Sequence, residues 1–224
     1  MMSLLNESIT KQVKDVFDGQ LTGSVDVLFF GSKKDCEYCS ESQQLIEEIV
    51  DISDKLSIKV YDLQADAAIA AQYKIERVPG IVLLSREDGQ PVDYGIRYSG
   101  IPSGHEFSSL IHDLVLVSGQ DSGLSQPTRD QLKQLDQPVH LMVFVTPTCP
   151  YCPRAVVLAH QMAMESPYVT AEMVEAMEFQ ELSTRFSVGG VPQTTINEGA
   201  GTVVGAVPEE HLLSEINRAL RGKK

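Results

Sequence analysis

The chain has 224 residues, of which 42% are hydrophobic and 22% charged, and its formal net charge at pH 7 is −13. These values are ordinary for a globular protein, and the length suits two domains of about 110 residues each. The negative charge excludes nucleic acids and anionic membrane surfaces as expected partners, because both would repel the protein.

Hydrophobic periodicity predicts alternating helices and strands in the first half of the chain. Apolar residues spaced by three or four positions indicate helices, and short apolar or alternating runs indicate strands. In chain order we expect a helix over 4–17, a strand over 25–30, a helix around 45–52, a strand over 56–63, a helix over 65–73, strands over 80–84 and 96–99 that flank a turn at 87–90, and a helix over 107–115.

The same order of elements restarts after a stretch rich in Gly, Ser, Asp and Gln at 118–127. We therefore expect one unit over residues 1–118 and a second over 119–224. The second half predicts a helix over 128–135, a strand over 139–145, a helix over 156–163, a strand over 168–174, a helix over 179–186, a hairpin at 194–196 and 202–204, and a helix over 212–220. Strands that alternate with helices predict an α/β fold with a central mixed sheet flanked by helices in each unit.

All four cysteines of the chain lie in two copies of one short motif. Cys36–Cys39 reads CEYC, and Cys149–Cys152 reads CPYC 113 residues later (149 − 36). An internal repeat of this kind indicates two copies of one structural unit. In a protein that shows no signal peptide or membrane span, paired cysteines are more often catalytic than structural, and the cytoplasm is the expected compartment.

The spacing of each pair suits thiol–disulfide exchange. This reaction needs one thiolate that attacks a disulfide and a second thiol that resolves the mixed disulfide. At the start of a helix the free N–H groups favour the thiolate of an exposed first cysteine. We therefore predict that Cys36 and Cys149 are the nucleophiles. Cys39 and Cys152 are then the thiols that resolve the mixed disulfide. Pro150 is expected in the first helical turn, where it costs no hydrogen bond.

A Val-Pro pair follows each motif at a constant distance. Pro79 lies 43 residues after Cys36 (79 − 36), and Pro192 lies 43 after Cys149 (192 − 149). A proline in cis at the mouth of a strand would leave the preceding backbone free to pair with a substrate peptide. The residues expected to line the two substrate grooves are Tyr38, Val78, Pro79, Pro150, Tyr151, Val191 and Pro192.

The two motifs differ in their charged neighbours. Three acids surround the first motif, Asp35, Glu37 and Glu41, and the lysines at 33–34 compensate them only in part. The second motif has Arg154 and no acid close in sequence. Negative charge disfavours a thiolate. We therefore expect Cys149 to be the more acidic and more reactive thiol. Arg77 precedes the first Val-Pro pair, where it either selects substrates or is simply solvated, and Gly190 holds that place in the second copy.

These motifs resemble the thioredoxin superfamily. CPYC matches the glutaredoxin active-site motif, the Val-Pro pairs resemble the cis-proline loop, and the tandem arrangement is similar to glutaredoxin-like protein disulfide oxidoreductases. The resemblance implies two tandem thioredoxin-like units and dithiol–disulfide exchange on protein substrates. It implies no bound cofactor beyond redox-active disulfides, and electrons from an NAD(P)H-dependent, thioredoxin-reductase-like flavoprotein. The oligomeric state stays open, a homodimer included.

Several side chains are expected to have no part in this chemistry. Thioredoxins bury an acid in the strand before CxxC, but residues 28–30 and 141–143 are apolar here, so no such acid is expected. The histidines show no ligand spacing and are expected on the surface or in helices: His105, His112, His140, His160 and His211. Four methionines are expected to fill the core: Met162, Met164, Met173 and Met177.

Alternative functions are also compatible with the motifs. The chain resembles the tandem-thioredoxin N-terminal segment of the alkyl hydroperoxide reductase flavoprotein and would then relay electrons to a peroxidase. That segment retains one CxxC, so the second pair counts against this alternative. A peptide-binding chaperone module is a further alternative. Four thiolates could hold zinc, but 109 residues separate the pairs (149 − 39 − 1), so no metal is expected. Two static disulfides are also less expected.

Overall fold

The computed structural model describes residues 3–222 and contains the α/β pattern predicted from the sequence. The elements in chain order are α1 (Glu7–Gln20), β1 (Val25–Gly31), α2 (Cys39–Val50), β2 (Leu56–Asp62), α3 (Ala67–Gln72), β3 (Gly80–Glu87), β4 (Gln90–Ser99), α4 (Glu106–Gly119), α5 (Gln126–Leu132), β5 (Val139–Val145), α6 (Cys152–Met164), β6 (Val169–Glu175), α7 (Gln180–Arg185), β7 (Gln193–Ile196), β8 (Gly201–Val204) and α8 (Glu209–Arg221). Among residues 3–222, no helix has both the length and the apolar character needed to cross a membrane.

The chain divides into two compact units whose segments alternate along the sequence. Unit 1 contains the residues up to Asp93, together with Tyr98–Ile101 and Leu114–Gln120. Unit 2 contains Tyr94–Arg97, Pro102–Asp113 and the residues from Asp121 onward. This division differs from a single cut after residue 118, because parts of β4 and of α4 group with the second half of the chain.

Unit 1 is built around the apolar strand β1. The strand order is β2-β1-β3-β4, with β1 parallel to β2 and antiparallel to β3. All seven residues of β1 are buried, as its nearly all-apolar sequence predicts, and they include Asp26, whose carboxylate accepts hydrogen bonds from Arg86 and Ser57. Helix α2 packs against β1 and β2. Because α2 directly follows β1, its first residue, Cys39, is held close to the end of the central strand.

Unit 2 repeats this arrangement around β5. The strand order is β6-β5-β7-β8, with β5 parallel to β6 and antiparallel to β7. Helix α6 packs against β5 and β6, and α8 packs against β8 and α5. Four residues on one stripe of α8 are buried, as its helical periodicity predicts: Leu212, Leu213, Ile216 and Ala219.

Several element boundaries differ from the sequence prediction, and two of these differences have a clear local cause. Helix α1 begins at Glu7 rather than at residue 4, because the side chain of Asn6 accepts the N–H of Ile9 at 2.9 Å and caps the helix there. Strand β4 begins at Gln90, six residues before the predicted start (96 − 90). Its first half is largely exposed and polar, so it lacks the apolar signal of a buried strand.

Candidate functional site

Each CxxC pair is closed by a disulfide at the start of a helix. Cys36 is bonded to Cys39 and Cys149 to Cys152, with a Cα–Cα distance of 5.5 Å in both pairs. The second cysteine of each pair is the first residue of α2 or α6. The first cysteine therefore lies just before the helix, where N–H groups without intrahelical partners favour a thiolate.

Two details of the second motif differ from the sequence prediction. Cys149 is only 8% exposed and Cys152 is fully buried, whereas an exposed first sulfur was expected. The Cys149 Sγ lies 3.7 Å from the carbonyl oxygen of Val191, so the proline loop covers it. Pro150 was predicted in the first helical turn, but α6 begins at Cys152 and Pro153 occupies that turn instead. Pro150 lies in the exposed turn before the helix.

The two Val-Pro pairs lie in equivalent loops. Both peptide bonds are cis, as the resemblance implies. The Pro79 carbonyl oxygen accepts the N–H of Gly100 at 2.9 Å, and the Pro192 carbonyl oxygen accepts that of Gly205 at 2.8 Å. Each preceding valine packs on the apolar cluster of its own unit. In unit 2 the contact between Val191 and Cys149 brings the predicted groove residues of this loop beside the first cysteine of the motif.

Exposed apolar side chains accompany the motifs to different degrees. Tyr151 is 64% exposed, compared with 38% for Tyr38. Met177, which follows the end of β6, is 63% exposed, so its prediction as a core residue was wrong. Its position in the turn after β6 places it at solvent, while Met162 and Met173 fill the core as predicted.

The loop that leads into the cysteines is one residue longer in unit 1. Four residues separate β1 from Cys36 (32–35), whereas three separate β5 from Cys149 (146–148). The extra residue is accommodated with Asp35 at φ 56°, a left-handed conformation that aspartate tolerates better than most residues. The two motifs thus share a framework but are presented by different loops.

Equivalent carboxyl groups at the ends of β2 and β6 have opposite pKa shifts. Asp62 pairs with Gly31 and Glu175 with Val145 in the parallel registers beside each motif. Hydrogen bonds from the N–H groups of Ala65 and Gln64 lower the pKa of Asp62. Burial raises the pKa of Glu175, although Glu175 accepts the N–H of Glu178 at 2.5 Å. The electrostatic difference between the sites therefore extends beyond the sequence neighbours of the cysteines.

A buried acidic cluster in unit 2 was missed by the sequence analysis. Glu106 is 1% exposed and accepts a hydrogen bond from the Ser109 hydroxyl at 2.6 Å. Burial raises the pKa of Glu106 to about 7, with opposing contributions from the Ser109 hydrogen bond and the charge of His160. His160 Nδ1 lies 2.5 Å from Asp113 Oδ2, and both side chains are fully buried. His160 lies in a helix, as predicted, but it is fully buried in unit 2 beside this carboxylate, which the sequence interpretation did not foresee.

The position of Glu106 along α4 places it level with the second motif. The N–H of His105 donates to the Pro147 carbonyl oxygen at 2.9 Å, and Asp113 contacts His160 further along both helices. Helices α4 and α6 therefore run in the same direction. Glu106 lies about 10 Å before Asp113 and Cys152 about 12 Å before His160, at 1.5 Å rise per residue. Glu106 is thus at the level of the first turn of α6. The residues between His160 and Cys152 on the same face of α6 are apolar, which is the sequence signal that this histidine is buried.

The described part of the chain shows no cluster of three or more His, Cys, Asp or Glu side chains arranged to hold a metal ion. The four cysteines form two separate pairs, one in each unit, and each pair is joined internally. The arrangement can therefore store two electrons at each motif, as a dithiol that closes to a disulfide.

Comparisons with known proteins agree with this geometry. The Thioredoxin domain family model matches residues 139–218. The solved structure of a protein disulfide oxidoreductase from Aeropyrum pernix k1 is similar to this chain with 30% identity and a TM-score of 0.88, and the match covers 97% of this chain and 94% of that one. The NTD_N/C domain of alkylhydroperoxide reductase AhpF from Enterococcus faecalis (V583) is similar with 29% identity and a TM-score of 0.85, over 95% of this chain and 99% of that one.

Curated relatives extend beyond the region that they share with this chain. The alkyl hydroperoxide reductase protein AhpF of Staphylococcus aureus (strain Mu50) is 28% identical over 194 residues, which is 87% of this chain and 34% of the relative. The Staphylococcus epidermidis protein of the same name is 29% identical over 180 residues, 80% of this chain and 32% of the relative. The chain therefore spans about a third of the length of these relatives.

Proposed function

Because the chain belongs to the tandem thioredoxin-fold family of glutaredoxin-like protein disulfide oxidoreductases, we propose that it exchanges disulfides with protein substrates, mainly through Cys149 and Cys152. Cys36 and Cys39 form the second exchange site. The observation that carries the proposal is the position of the Cys149 Sγ, which lies at the start of α6 and 3.7 Å from the Val191 carbonyl oxygen of the proline loop. Reduction, oxidation and isomerisation of protein disulfides all use this one arrangement.

In the reductive direction, the Cys149 thiolate attacks one sulfur of a substrate disulfide. A bond forms between Cys149 and that sulfur, and the other substrate sulfur leaves as a thiolate that takes up a proton. The Cys152 thiolate then attacks the Cys149 sulfur, closes the Cys149–Cys152 disulfide and releases the second substrate thiol. Two electrons have passed from the dithiol to the substrate. The reverse sequence oxidises a substrate dithiol.

Glu106 is a candidate to take the proton from the resolving thiol. Cys152 is fully buried, so its proton needs an acceptor inside the protein. Glu106 lies level with the first turn of α6, and its pKa of about 7 suits proton transfer near neutral pH. Because this carboxyl group comes from α4 rather than from β5, an apolar strand before CxxC does not prevent acid–base assistance.

We propose that the site in unit 2 is the more reactive one. Asp35, Glu37 and Glu41 surround the first motif, while Arg154 lies on the exposed surface after the second. This charge difference favours the thiolate of Cys149. Burial of Cys149 acts in the opposite direction, so a direct titration of both thiols in their reduced forms is the decisive comparison.

The oxidised pair needs an external two-electron donor for each reductive cycle. We propose an NAD(P)H-dependent flavoprotein reductase as this partner, and protein disulfides or dithiols as substrates. The names of the curated relatives support it, because the alkyl hydroperoxide reductase protein AhpF contains a region similar to this chain. We expect the protein to act in the cytoplasm, where thiols are kept reduced, and a homodimer remains one expected assembly.

The experiment compares the wild-type protein with Cys149→Ser and Cys36→Ser in insulin reduction and in the refolding of scrambled ribonuclease. We expect the wild type to be active in both assays, Cys149→Ser to lose at least about 90% of the activity because the nucleophile is gone, and Cys36→Ser to retain most of it. Inactivity of the wild-type protein in both assays would contradict the proposed function. A larger loss in Cys36→Ser than in Cys149→Ser would reverse the order of the sites.

A second candidate function is electron relay to a peroxidase. It is favoured by the match to the Enterococcus faecalis AhpF domain, which extends over 99% of that domain. The test combines this protein with a flavoprotein reductase, a cysteine peroxidase and an alkyl hydroperoxide. Relay predicts NAD(P)H consumption that depends on the hydroperoxide and disappears in Cys149→Ser. If a variant with serine at all four cysteines keeps the cellular activity, a peptide-binding role is favoured over both redox functions.

A further inference from the structure

The residues directly before the two Val-Pro pairs differ between otherwise equivalent loops. At the repeat distance of 113, Glu76 corresponds to position 189 (76 + 113) and Arg77 to position 190 (77 + 113). Both of these positions are glycine in unit 2. Val78 and Val191 follow, and each packs on the apolar cluster of its own unit. The difference is thus confined to the two residues that precede a shared framework.

Neither glycine is required by the backbone or by packing. Gly189 and Gly190 do not have left-handed φ angles. A Cβ atom built on either one would meet no atom within 4 Å, and both residues are exposed. The fold of unit 2 would therefore accept larger side chains at both positions. Because these glycines have no side chains, the surface beside them is open, and another polypeptide backbone can approach it closely.

The corresponding surface of unit 1 is filled. The Glu76 side chain is 79% exposed, whereas the Arg77 side chain is only 22% exposed, and the Arg77 guanidinium lies 3.6 Å from the Glu76 carboxylate. The Arg77 side chain is therefore mostly covered by protein, in contrast to the interpretation that it is simply solvated. Unit 1 thus carries a long side chain at the position where unit 2 has a glycine.

This open surface lies next to the reactive sulfur. Gly190 is bonded to Val191, whose carbonyl oxygen is 3.7 Å from the Cys149 Sγ. Tyr151, on the motif side, is 64% exposed, and Tyr38 at the first site is 38% exposed. A disulfide that reaches Cys149 within a polypeptide must bring its flanking backbone past these residues. A small disulfide brings no such backbone.

We propose that Gly189 and Gly190 are specificity-determining residues that admit disulfides held in polypeptide chains to Cys149, and that Glu76 and Arg77 restrict such substrates at Cys36. The inference rests on the proposed function, since it concerns the substrates of the same exchange sites. According to this inference, protein disulfides react mainly in unit 2 because there is open space beside its proline loop. This preference does not depend on which thiol is the more acidic.

The test uses the full-length chain with Cys36→Ser and Cys39→Ser as the parent, so that only the second site reacts. Gly190→Arg reproduces the first site, and Gly190→Gln adds bulk without charge. Second-order rate constants are measured with insulin and with dithiodipyridine, a small neutral disulfide. We expect both substitutions to lower the ratio of the insulin rate to the dithiodipyridine rate about tenfold. The reciprocal Arg77→Gly, in a chain with Cys149→Ser and Cys152→Ser, should raise this ratio.

Circular dichroism and urea unfolding verify that the variants are folded. Equal factors of change for the two substrates, or a changed ratio in Gly190→Arg alone, would overturn the inference while leaving the proposed function intact. A parent that reduces neither disulfide would overturn both. A lowered ratio in both Gly190 variants supports the inference, because loss of folding or of thiol reactivity would affect the two substrates alike.

Discussion

At the scale of single residues, Glu106 is a buried carboxyl group in the unit that carries the second motif. Its carboxyl group is 1% exposed and has the Ser109 hydroxyl as a hydrogen-bond donor. Burial raises its pKa from 4.5 to about 7, which means that the folded protein disfavours the charged form. A fold can contain such a buried ionisable group when its other interactions offset the loss of stability. Groups with strongly shifted pKa values are common in active sites.

We predict that Glu106→Gln flattens the pH dependence of stability. The folded pKa lies above the unfolded one, so the stabilising contribution is fully present below pH 4.5 and is lost as the pH rises through about 7. The shift corresponds to at most about 3 kcal/mol, at 1.36 kcal/mol per unit. Urea unfolding at pH 5 and pH 8 should therefore show a larger loss of unfolding free energy in the wild type than in the variant. Identical losses, or an equal effect from the exposed control Glu181→Gln, would contradict this interpretation.

At the scale of elements, loops determine how each motif is presented. Most helices and strands follow from apolar periodicity, since β1 and β5 are apolar except for Asp26 and His140, and α8 has a clear apolar stripe. The loop before α4 has no such pattern. In it Gly104 has φ +60°, and a Cβ built there would overlap the Pro147 carbonyl oxygen and lie 2.8 Å from the carbonyl carbon. This contact joins the start of α4 to the segment that leads into Cys149.

We expect Gly104→Ala to destabilise unit 2. The left-handed backbone costs alanine about 1–2 kcal/mol, and the overlap with Pro147 adds to this cost. Urea unfolding should give a free energy lower by about 2–4 kcal/mol, and the rate of disulfide exchange at Cys149 should change as well. Gly89→Ala is the matched control, because Gly89 also has a left-handed φ of +78° but its new methyl group meets open space. Equal unfolding free energies of the two variants would show that the Pro147 backbone can move away from the new methyl group without loss of stability.

At the scale of the whole molecule, two thioredoxin-like units are confirmed as the architecture, with similar solved structures over almost the entire chain. The predicted cut after residue 118 remains a proposal about how the chain can be divided. The two compact units consist of segments that alternate along the sequence, and Pro102–Asp113 belongs to unit 2. This segment carries Glu106 and Asp113, which belong to the buried cluster around His160.

We therefore predict that a fragment of residues 119–224 is much less stable than one of residues 94–224. The shorter fragment lacks Asp113, and leaving a buried hydrogen-bonding group such as His160 without its partner typically costs about 1–3 kcal/mol. Far-ultraviolet circular dichroism and urea unfolding should show cooperative unfolding of the longer fragment at a clearly higher midpoint. Equal midpoints would mean that unit 2 does not need α4, and the boundary after residue 118 would then be supported.

The sequence by itself determined the repeated CxxC motifs, the Val-Pro pairs at a constant distance, the order of helices and strands, and the family. These properties are local or periodic along the chain, so spacing and apolar pattern are sufficient to identify them. Only the tertiary structure decided that Cys149 is covered by Val191, that His160 is buried beside Asp113, and that Glu106 from α4 lies level with Cys152. The first two contacts join residues more than 40 positions apart. The pKa of a carboxyl group depends on burial that no single segment of sequence expresses.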